Sequence, residues 1–187
     1  MRITGGEARG RVITAPPGLE IRPTSSKVRQ AFFNILGNKI YGCRFLDLCA
    51  GTGLMGIEAL SRGAASLISV EVDKTFAKQI QTNLKHLGYA DQSEVISTHV
   101  ERALPLLTEK SFDIIFADPP YKDRLVKKLP NLIGQFNLLD DGVFILEHLK
   151  STTPEVSEDS PLALTSTRNY GQTSISFYQL KSKIAVE

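Results

Sequence analysis

Cysteine and histidine are scarce in this sequence, and each shortage excludes a kind of site. Of the 187 residues, two are cysteines and three are histidines. Cys43 and Cys49 lie six positions apart in a segment that reads as extended, about 20 Å of chain, which is too far for a disulfide bond. No histidine has a second metal ligand at a usual spacing. We therefore expect free thiols and no protein metal site.

The sequence also lacks a membrane-spanning or export segment. No apolar run approaches the roughly 20 residues that are needed to cross a bilayer. Residues 1–6 (MRITGG) contain neither an apolar core nor a cleavage site of small residues. A chain of 187 residues is typical of one domain with a small appendage. We expect a cytoplasmic protein without membrane contact, and nothing in the composition demands more than a monomer.

Charge is distributed unevenly along the chain. Residues 1–44 contain eight basic and two acidic side chains, a net charge of +6, while the remainder carries fourteen basic and eighteen acidic side chains, a net charge of −4. A basic patch of this kind is typical of nucleic-acid binding. We expect an N-terminal arm over residues 1–37, a hairpin followed by a helix, and a second domain over residues 38–187.

Beyond residue 44 the hydrophobic pattern alternates between strands and helices. Short apolar runs predict strands near residues 45–48, 67–70, 94–96, 112–116, 143–146, 162–167 and 174–180. Amphipathic stretches predict helices near residues 26–36, 54–61, 74–87, 103–107 and within 124–136. Two short N-terminal strands are predicted near residues 2–4 and 10–14. The alternation predicts an α/β, Rossmann-like fold: a seven-stranded, mostly parallel sheet with helices on both faces and an antiparallel pair at one edge.

A glycine-rich turn joins the first of these strands to its helix. Gly51, Gly53 and Gly56 have the spacing of a dinucleotide-binding turn, and Glu71 follows Gly51 by twenty residues, where an acid can hold ribose hydroxyls. The spacing indicates a nucleotide-like ligand but does not identify it.

Acidic residues at the strand ends favour a positively charged ligand. A pyrophosphate binds at a helix N-terminus, and the carboxylate of Asp47, just upstream, would repel it. S-adenosylmethionine has no phosphate and carries a positive ammonium and a positive sulfonium group. It therefore fits where NAD fits poorly. The candidate cofactor-binding residues are Asp47, Ala50, Gly51, Gly53, Glu71, Asp73 and Glu101.

The segment Asp118-Pro119-Pro120-Tyr121 follows a buried strand and supplies the candidate chemistry. The two prolines restrict the backbone and hold the preceding acid at the sheet edge. An exocyclic amine on a nucleobase is a poor nucleophile, because its lone pair is delocalised into the ring. The Asp118 carboxylate and the Pro119 carbonyl can accept its two N–H bonds, and Tyr121 can stack on an unpaired or flipped base. These four residues form the candidate catalytic site.

Several motifs together resemble the RsmD family of bacterial methyltransferases, which modify guanine N2 in small-subunit (16S) ribosomal RNA. The motifs are DLCAGTG at residues 47–53, GIEALSRGA at 56–64, VEVD at 70–73, DPPY at 118–121 and RPTSSKVRQAFFNIL at 22–36. The resemblance implies S-adenosylmethionine as cofactor, a target-amine site at residues 118–121, and ribosomal RNA, within a small-subunit particle, as the partner.

The resemblance also implies that the N-terminal arm holds the RNA. The candidate contacts are Arg9, Arg11, Arg22, Thr24 and Arg29. Transfer to adenine N6 or to guanine in another RNA stays open, since the DPPY motif also occurs in other amino methyltransferases. An NAD-dependent oxidoreductase is opposed by Asp47, and a non-catalytic RNA-binding module gives no reason for a cofactor-shaped loop.

Overall fold

The computed structural model of the chain describes residues 1–16, 26–121 and 124–184. They belong to two compact units, residues 1–99 and residues 100–187. The predicted boundary at residue 37 separates an RNA-binding arm from a second domain according to their expected functions, and it stays a prediction.

The first unit alternates helices with three parallel strands. Its elements are α1 (Ser26–Leu36), β1 (Arg44–Leu48), α2 (Leu54–Ser61), β2 (Ser66–Val70), α3 (Lys74–Leu87) and β3 (Ser93–Ile96). β2 pairs in parallel with β1 on one side and with β3 on the other. Phe45, Leu46 and Leu48 are fully buried, because a parallel sheet is covered on both faces.

The second unit contains parallel and antiparallel strands. Its elements are α4 (Val100–Ala103), β4 (Phe112–Ala117), α5 (Leu125–Gln135), β5 (Leu139–Leu149), β6 (Leu162–Tyr170), β7 (Thr173–Leu180) and α6 (Lys181–Ile184). β4 pairs in parallel with β5, and β7 pairs antiparallel with both β5 and β6. A 3₁₀ helix, Leu104–Leu107, extends α4.

The predicted fold class is confirmed. The described residues form seven strands, in the order β3-β2-β1 in the first unit and β4-β5-β7-β6 in the second, and the closing pair is antiparallel. Among these strands, β5 differs most from its prediction. It extends beyond residues 143–146 at both ends, because Leu139 pairs with Phe112 of β4 and Leu149 pairs with Thr173 of β7. Within the described residues, no helix combines the length and the apolar character that crossing a bilayer requires.

The N-terminal segment, residues 1–16, differs from its prediction. The two expected strands reduce to a single antiparallel bridge between Arg2 and Val12, because the residues between them form turns. Hydrogen bonds fasten the segment to α2 and α3. The backbone N–H groups of Thr4, Ala8 and Thr14 donate to Glu58 Oε2 (3.1 Å), Ser61 Oγ (3.0 Å) and Asn83 Oδ1 (3.2 Å), respectively.

Candidate active site

The glycine turn between β1 and α2 is a tight left-handed loop. Cys49, Gly51 and Gly53 have φ angles of 60°, 55° and 74°, a conformation that glycine adopts without steric cost. The Gly53 N–H donates to the Ala50 carbonyl at 2.8 Å. The sequence predicted this turn, but not the positive φ of Cys49, which a residue with a side chain adopts less readily.

The two predicted cofactor glycines of the turn have different surroundings. A Cβ atom placed on Gly51 would meet no atom within 4 Å, so the turn is open to a ligand at this position. A Cβ atom on Gly53 would lie 2.8 Å from the side chain of Ile80 in α3. Gly53 is therefore required for the close approach of the turn to α3, and Gly51 is the position where a ligand can approach the backbone.

Asp47 is buried rather than part of an exposed acidic rim. It is 1% exposed, and its Oδ2 accepts a hydrogen bond at 3.0 Å from the backbone N–H of Gly56, in the first turn of α2. Gly53, at the N-cap of α2, has no side chain with which to make this bond. The carboxylate of Asp47 thus takes the place at the helix N-terminus where a phosphate would bind.

Glu71 connects the turn to the start of α3. Its Oε2 accepts from the Gly51 N–H at 2.6 Å, and its Oε1 accepts from the Asp73 N–H at 2.9 Å. An ionised carboxylate has about four acceptor positions, so Glu71 retains capacity for ligand hydroxyls. Asp73 is the N-cap of α3, and its Oδ1 accepts from the N–H groups of Thr75 and Phe76.

Glu101 lies apart from a strand end. It is in α4, its side chain is 59% exposed, and its Oε1 is 3.8 Å from Lys128 Nζ. β3 ends at Ile96, as predicted, and α4 begins four residues later, so Glu101 lies beyond the strand end by five residues. A role in cofactor binding stays a prediction.

The segment after β4 contains the candidate catalytic residues. Pro119 is buried, Pro120 is exposed, and Asp118 and Tyr121 are half-buried. The hydroxyl oxygen of Tyr121 lies 3.2 Å from Thr173 Oγ1 of β7. This contact holds the Tyr121 ring beside the carboxyl end of β5, and sequence reasoning did not identify Thr173.

Glu147 is a second carboxyl group at this end of β4 and β5. The Cα atoms of Ala117 and Leu146 are partners in the parallel register, so Asp118 and Glu147 are the next residues on adjacent strands. Burial raises the pKa of Asp118 to about 6. Burial, and then the charge of Asp118, raise the pKa of Glu147 to about 8. Near neutral pH, Asp118 is therefore ionised and Glu147 is protonated.

Sequence reasoning missed Glu147, although a signal was available. Glu147 directly follows the apolar run at residues 143–146, and an acid at or just after the end of such a run is the same pattern that selected Asp47 and Asp118. Only the strand pairing shows that Glu147 is the neighbour of Asp118.

The predicted RNA contacts have different positions. Arg9 is exposed, and Arg11 is exposed while its Nη2 donates to the His86 carbonyl at 2.9 Å. Arg29 is 2% exposed, with its Nε 2.6 Å from Glu58 Oε2. Its guanidinium group is thus engaged in a buried ion pair and is not presented to RNA. Arg22 and Thr24 lie outside the described residues.

The described residues contain no group of three or more His, Cys, Asp or Glu side chains that could hold a metal ion.

Known proteins with named activities are similar to this chain. It is 38% identical over 183 residues to YlbH of Bacillus subtilis, which is named as a candidate rRNA methyltransferase; the match covers 96% of this chain and 98% of YlbH. It is 35% identical over 147 residues to ribosomal RNA small subunit methyltransferase D of Escherichia coli, covering 78% of this chain and 72% of that protein.

Solved structures show the same fold. The Escherichia coli protein yhhF, described as a candidate methyltransferase, superposes with a TM-score of 0.83 at 32% identity, covering 96% of this chain and 97% of that chain. An RNA methyltransferase from Salinibacter ruber, solved with S-adenosyl-L-homocysteine, gives a TM-score of 0.65 over 88% of this chain and 97% of that chain. At 17% identity, this second likeness shows the fold alone.

A family model also matches almost the whole chain. The model of the family described as Conserved hypothetical protein 95 matches residues 1–179. The chain belongs to this family, the RsmD family whose motifs it carries.

Proposed function

We propose that this protein transfers the methyl group of S-adenosylmethionine to the exocyclic N2 amine of a guanine in small-subunit ribosomal RNA. The observation that carries the proposal is the position of Asp118, a carboxylate held by two prolines directly after a buried strand and ionised near neutral pH. The family relationship supports the reaction class and the RNA substrate.

The glycine turn fits S-adenosylmethionine better than a dinucleotide. The open side of Gly51 lets a ligand approach the backbone, and the spare acceptor capacity of Glu71 suits a ribose diol. Asp47 already occupies the N-terminus of α2, which disfavours a pyrophosphate. We propose that Asp47, Ala50, Gly51, Gly53 and Glu71 form the cofactor site, with Asp73 holding the start of α3. When bound, S-adenosylmethionine supplies an electrophilic methyl group on a positively charged sulfur.

Asp118 prepares the amine for attack. Its carboxylate and the Pro119 carbonyl accept the two N–H bonds, which directs the nitrogen lone pair away from the acceptors and lowers its delocalisation into the ring. Methylation makes the nitrogen positive, and Asp118 accepts the proton that the nitrogen then loses. Tyr121, held at its hydroxyl by Thr173, offers a ring face on which the base can stack.

The N-terminal segment is the proposed RNA-binding element. Arg9 and Arg11 present positive charge from a segment that hydrogen bonds hold against α2 and α3. We propose that these arginines contact phosphates. We also propose that residues 1–37, which include Arg22 and Thr24, act as the RNA-binding arm and that residues 38–187 carry out methyl transfer. We further propose that a monomer acts in the cytoplasm on RNA within a small-subunit particle.

Labelled methyl transfer tests the proposal. The protein is incubated with radiolabelled S-adenosylmethionine and either small-subunit particles or the extracted RNA, and the RNA is digested to nucleosides. We expect the label in N2-methylguanosine. The control variant is Asp159→Asn, which changes an exposed carboxyl group in the same unit as Asp118 and should be as active as the parent. Label in N6-methyladenosine, or no transfer to either RNA, would contradict the proposal.

A further inference from the structure

Glu147 is a buried carboxyl group to which the proposed reaction has so far given no role. It is 5% exposed, and its Oε2 has no hydrogen-bond partner among the described residues. A buried polar atom that stays unpaired destabilises the folded state, because it has lost its hydrogen bonds to water without replacement. Such an atom beside a catalytic carboxylate suggests that a ligand provides its missing partner.

Strand pairing places Glu147 toward the proposed target-amine site. The register of β4 and β5 makes Asp118 and Glu147 successive neighbours of the pair formed by Ala117 and Leu146. On the other side, Glu147 pairs with Ile175 of β7, and two residues along that strand Thr173 contacts Tyr121. Residues two apart on a strand share a face, so Glu147 lies on the face over which the Tyr121 hydroxyl is held.

Asp118 is the charged group that faces Glu147 among the described residues of the second unit. Ile175, its partner on β7, is apolar and buried. On α5, which packs against β5, Lys127 and Lys128 are more than half exposed and pair with Glu155 and Glu101, respectively. His148 follows on the opposite face, where its Nε2 lies 2.9 Å from Ser176 Oγ.

The two carboxyl groups divide their roles by charge. Asp118, with a pKa of about 6, is ionised at pH 7, whereas Glu147, with a pKa of about 8, keeps its proton. An ionised carboxylate accepts hydrogen bonds only, but a protonated carboxyl group both donates and accepts. Glu147 can therefore bind a nucleobase atom that Asp118 cannot.

We propose that Glu147 contacts the target base through its unpartnered carboxyl oxygen and reads a ring nitrogen next to the amine held by Asp118. Guanine has a ring N–H on one side of its amine-bearing carbon and a ring nitrogen acceptor on the other, and a neutral carboxyl group can bind either. Two contacts along one edge fix the rotation of the base in its plane, which points the amine in a single direction. This inference rests on the proposed function and assigns a base-recognition residue to it.

Two substitutions test the inference. Glu147→Gln keeps the shape and both hydrogen-bonding capacities but cannot ionise, and Glu147→Leu removes them. Methyl transfer to small-subunit RNA is measured from pH 5.5 to pH 9.5, with S-adenosylmethionine affinity and thermal unfolding as checks on the fold. Glu158→Gln, an exposed carboxyl group of the same unit, is the matched control.

We expect Glu147→Leu to lower kcat/KM for RNA by about 10-fold or more, the effect of one lost hydrogen bond to substrate, while cofactor affinity stays unchanged. Glu147→Gln should stay within about 3-fold of the parent at pH 7, the usual scatter between isosteric side chains at one contact. The activity of the parent should fall above pH 8, as Glu147 loses its proton, whereas the activity of Glu147→Gln should not. Both proteins should lose activity below about pH 6, where Asp118 becomes protonated.

The outcomes separate this inference from the proposed function. If the parent forms N2-methylguanosine and Glu147→Leu matches it, the inference is wrong and the proposed function stands. A Glu147→Gln variant as impaired at pH 7 as Glu147→Leu would show that an anion is needed, which also overturns the inference. If the parent transfers no methyl group, both fail. Should Glu147→Leu not fold, the pH profile of Glu147→Gln still decides.

Discussion

Gly51 is the residue at which the cofactor site is most open. Its φ of 55° strains any residue with a side chain, so a substitution combines backbone strain with loss of space. Gly88 separates these effects, because it has a φ of 86° and an equally open surrounding but lies at the C-terminal end of α3.

We expect Gly51→Ala and Gly88→Ala to destabilise the protein similarly, by about 1–2 kcal/mol for a positive φ. Only Gly51→Ala should weaken S-adenosylmethionine binding, which isothermal calorimetry measures directly. Equal affinity in the two variants would remove the ligand from this side of the turn. Gly53→Val is a poorer test, because its side chain would collide with Ile80.

Glu147 also makes the stability of the fold depend on pH. Burial and the charge of Asp118 raise the pKa of Glu147 from 4.5 to about 8, so the folded state holds the proton more tightly than the unfolded state. The stabilisation is complete below pH 4.5 and is lost as pH rises to about 8. Replacement of this carboxyl group by an amide removes the part of the pH dependence of stability that Glu147 contributes.

We therefore expect the difference in free energy of unfolding, Glu147→Gln minus parent, to increase between pH 5 and pH 8. The increase should be on the order of 1–3 kcal/mol, because relaxation of the protein around the charged carboxylate reduces the full effect of the pKa shift. Urea unfolding at several pH values measures the difference. A constant difference across this range would show that Glu147 titrates normally.

At the scale of elements, Glu58 of α2 connects the N-terminal segment to α1 and α2 within the first unit. It is fully buried and accepts hydrogen bonds from Thr4, Arg29 and Arg62. Burial alone would raise the pKa of Glu58, but these hydrogen bonds outweigh burial and lower it. The ion pair with Arg29 also accounts for the burial of an arginine that the charge pattern placed on the surface.

Glu58→Gln should destabilise the protein by about 3–5 kcal/mol, because it leaves Arg29 charged and buried without its partner. Replacing both residues, as Glu58→Gln with Arg29→Met, should cost less than Glu58→Gln alone. Urea unfolding gives both values, with the exposed Glu109→Gln as control. A double variant less stable than Glu58→Gln would mean that the pair does not carry this stability.

The N-terminal segment, residues 1–16, carries the proposed RNA contacts Arg9 and Arg11. Each lost phosphate contact should reduce the slope of log affinity against log salt concentration by about 0.7 to 0.9. Arg9→Ala with Arg11→Ala should thus bind RNA more weakly and with a shallower salt dependence, but bind the cofactor normally. Lys78→Ala with Lys85→Ala removes the same charge from exposed positions on α3 and should change the slope less. Equal slopes would move RNA binding away from Arg9 and Arg11.

At the scale of the whole molecule, the periodic pattern of hydrophobic residues predicted most of the helices and strands. The predicted bounds of α1, α2 and α3 agree with the structure, because the apolar pattern of each helix and the glycines beside it are local signals. The N-terminal hairpin was over-predicted, since a bridge between Arg2 and Val12 replaces it. Contacts across the sheet were less visible in the sequence. Glu147 and Thr173 depend on strand register, and the burial of Arg29 depends on a partner 29 positions away.

The most direct test of the account compares methyl transfer and cofactor binding in Asp118→Ala. If Asp118 holds the target amine, the substitution should lower the rate of N2-methylguanosine formation in small-subunit RNA by about 100-fold or more, the effect of losing one oriented polar group in an active site. The dissociation constant for S-adenosylmethionine should stay close to that of the parent. Near-parental transfer by Asp118→Ala would contradict the account.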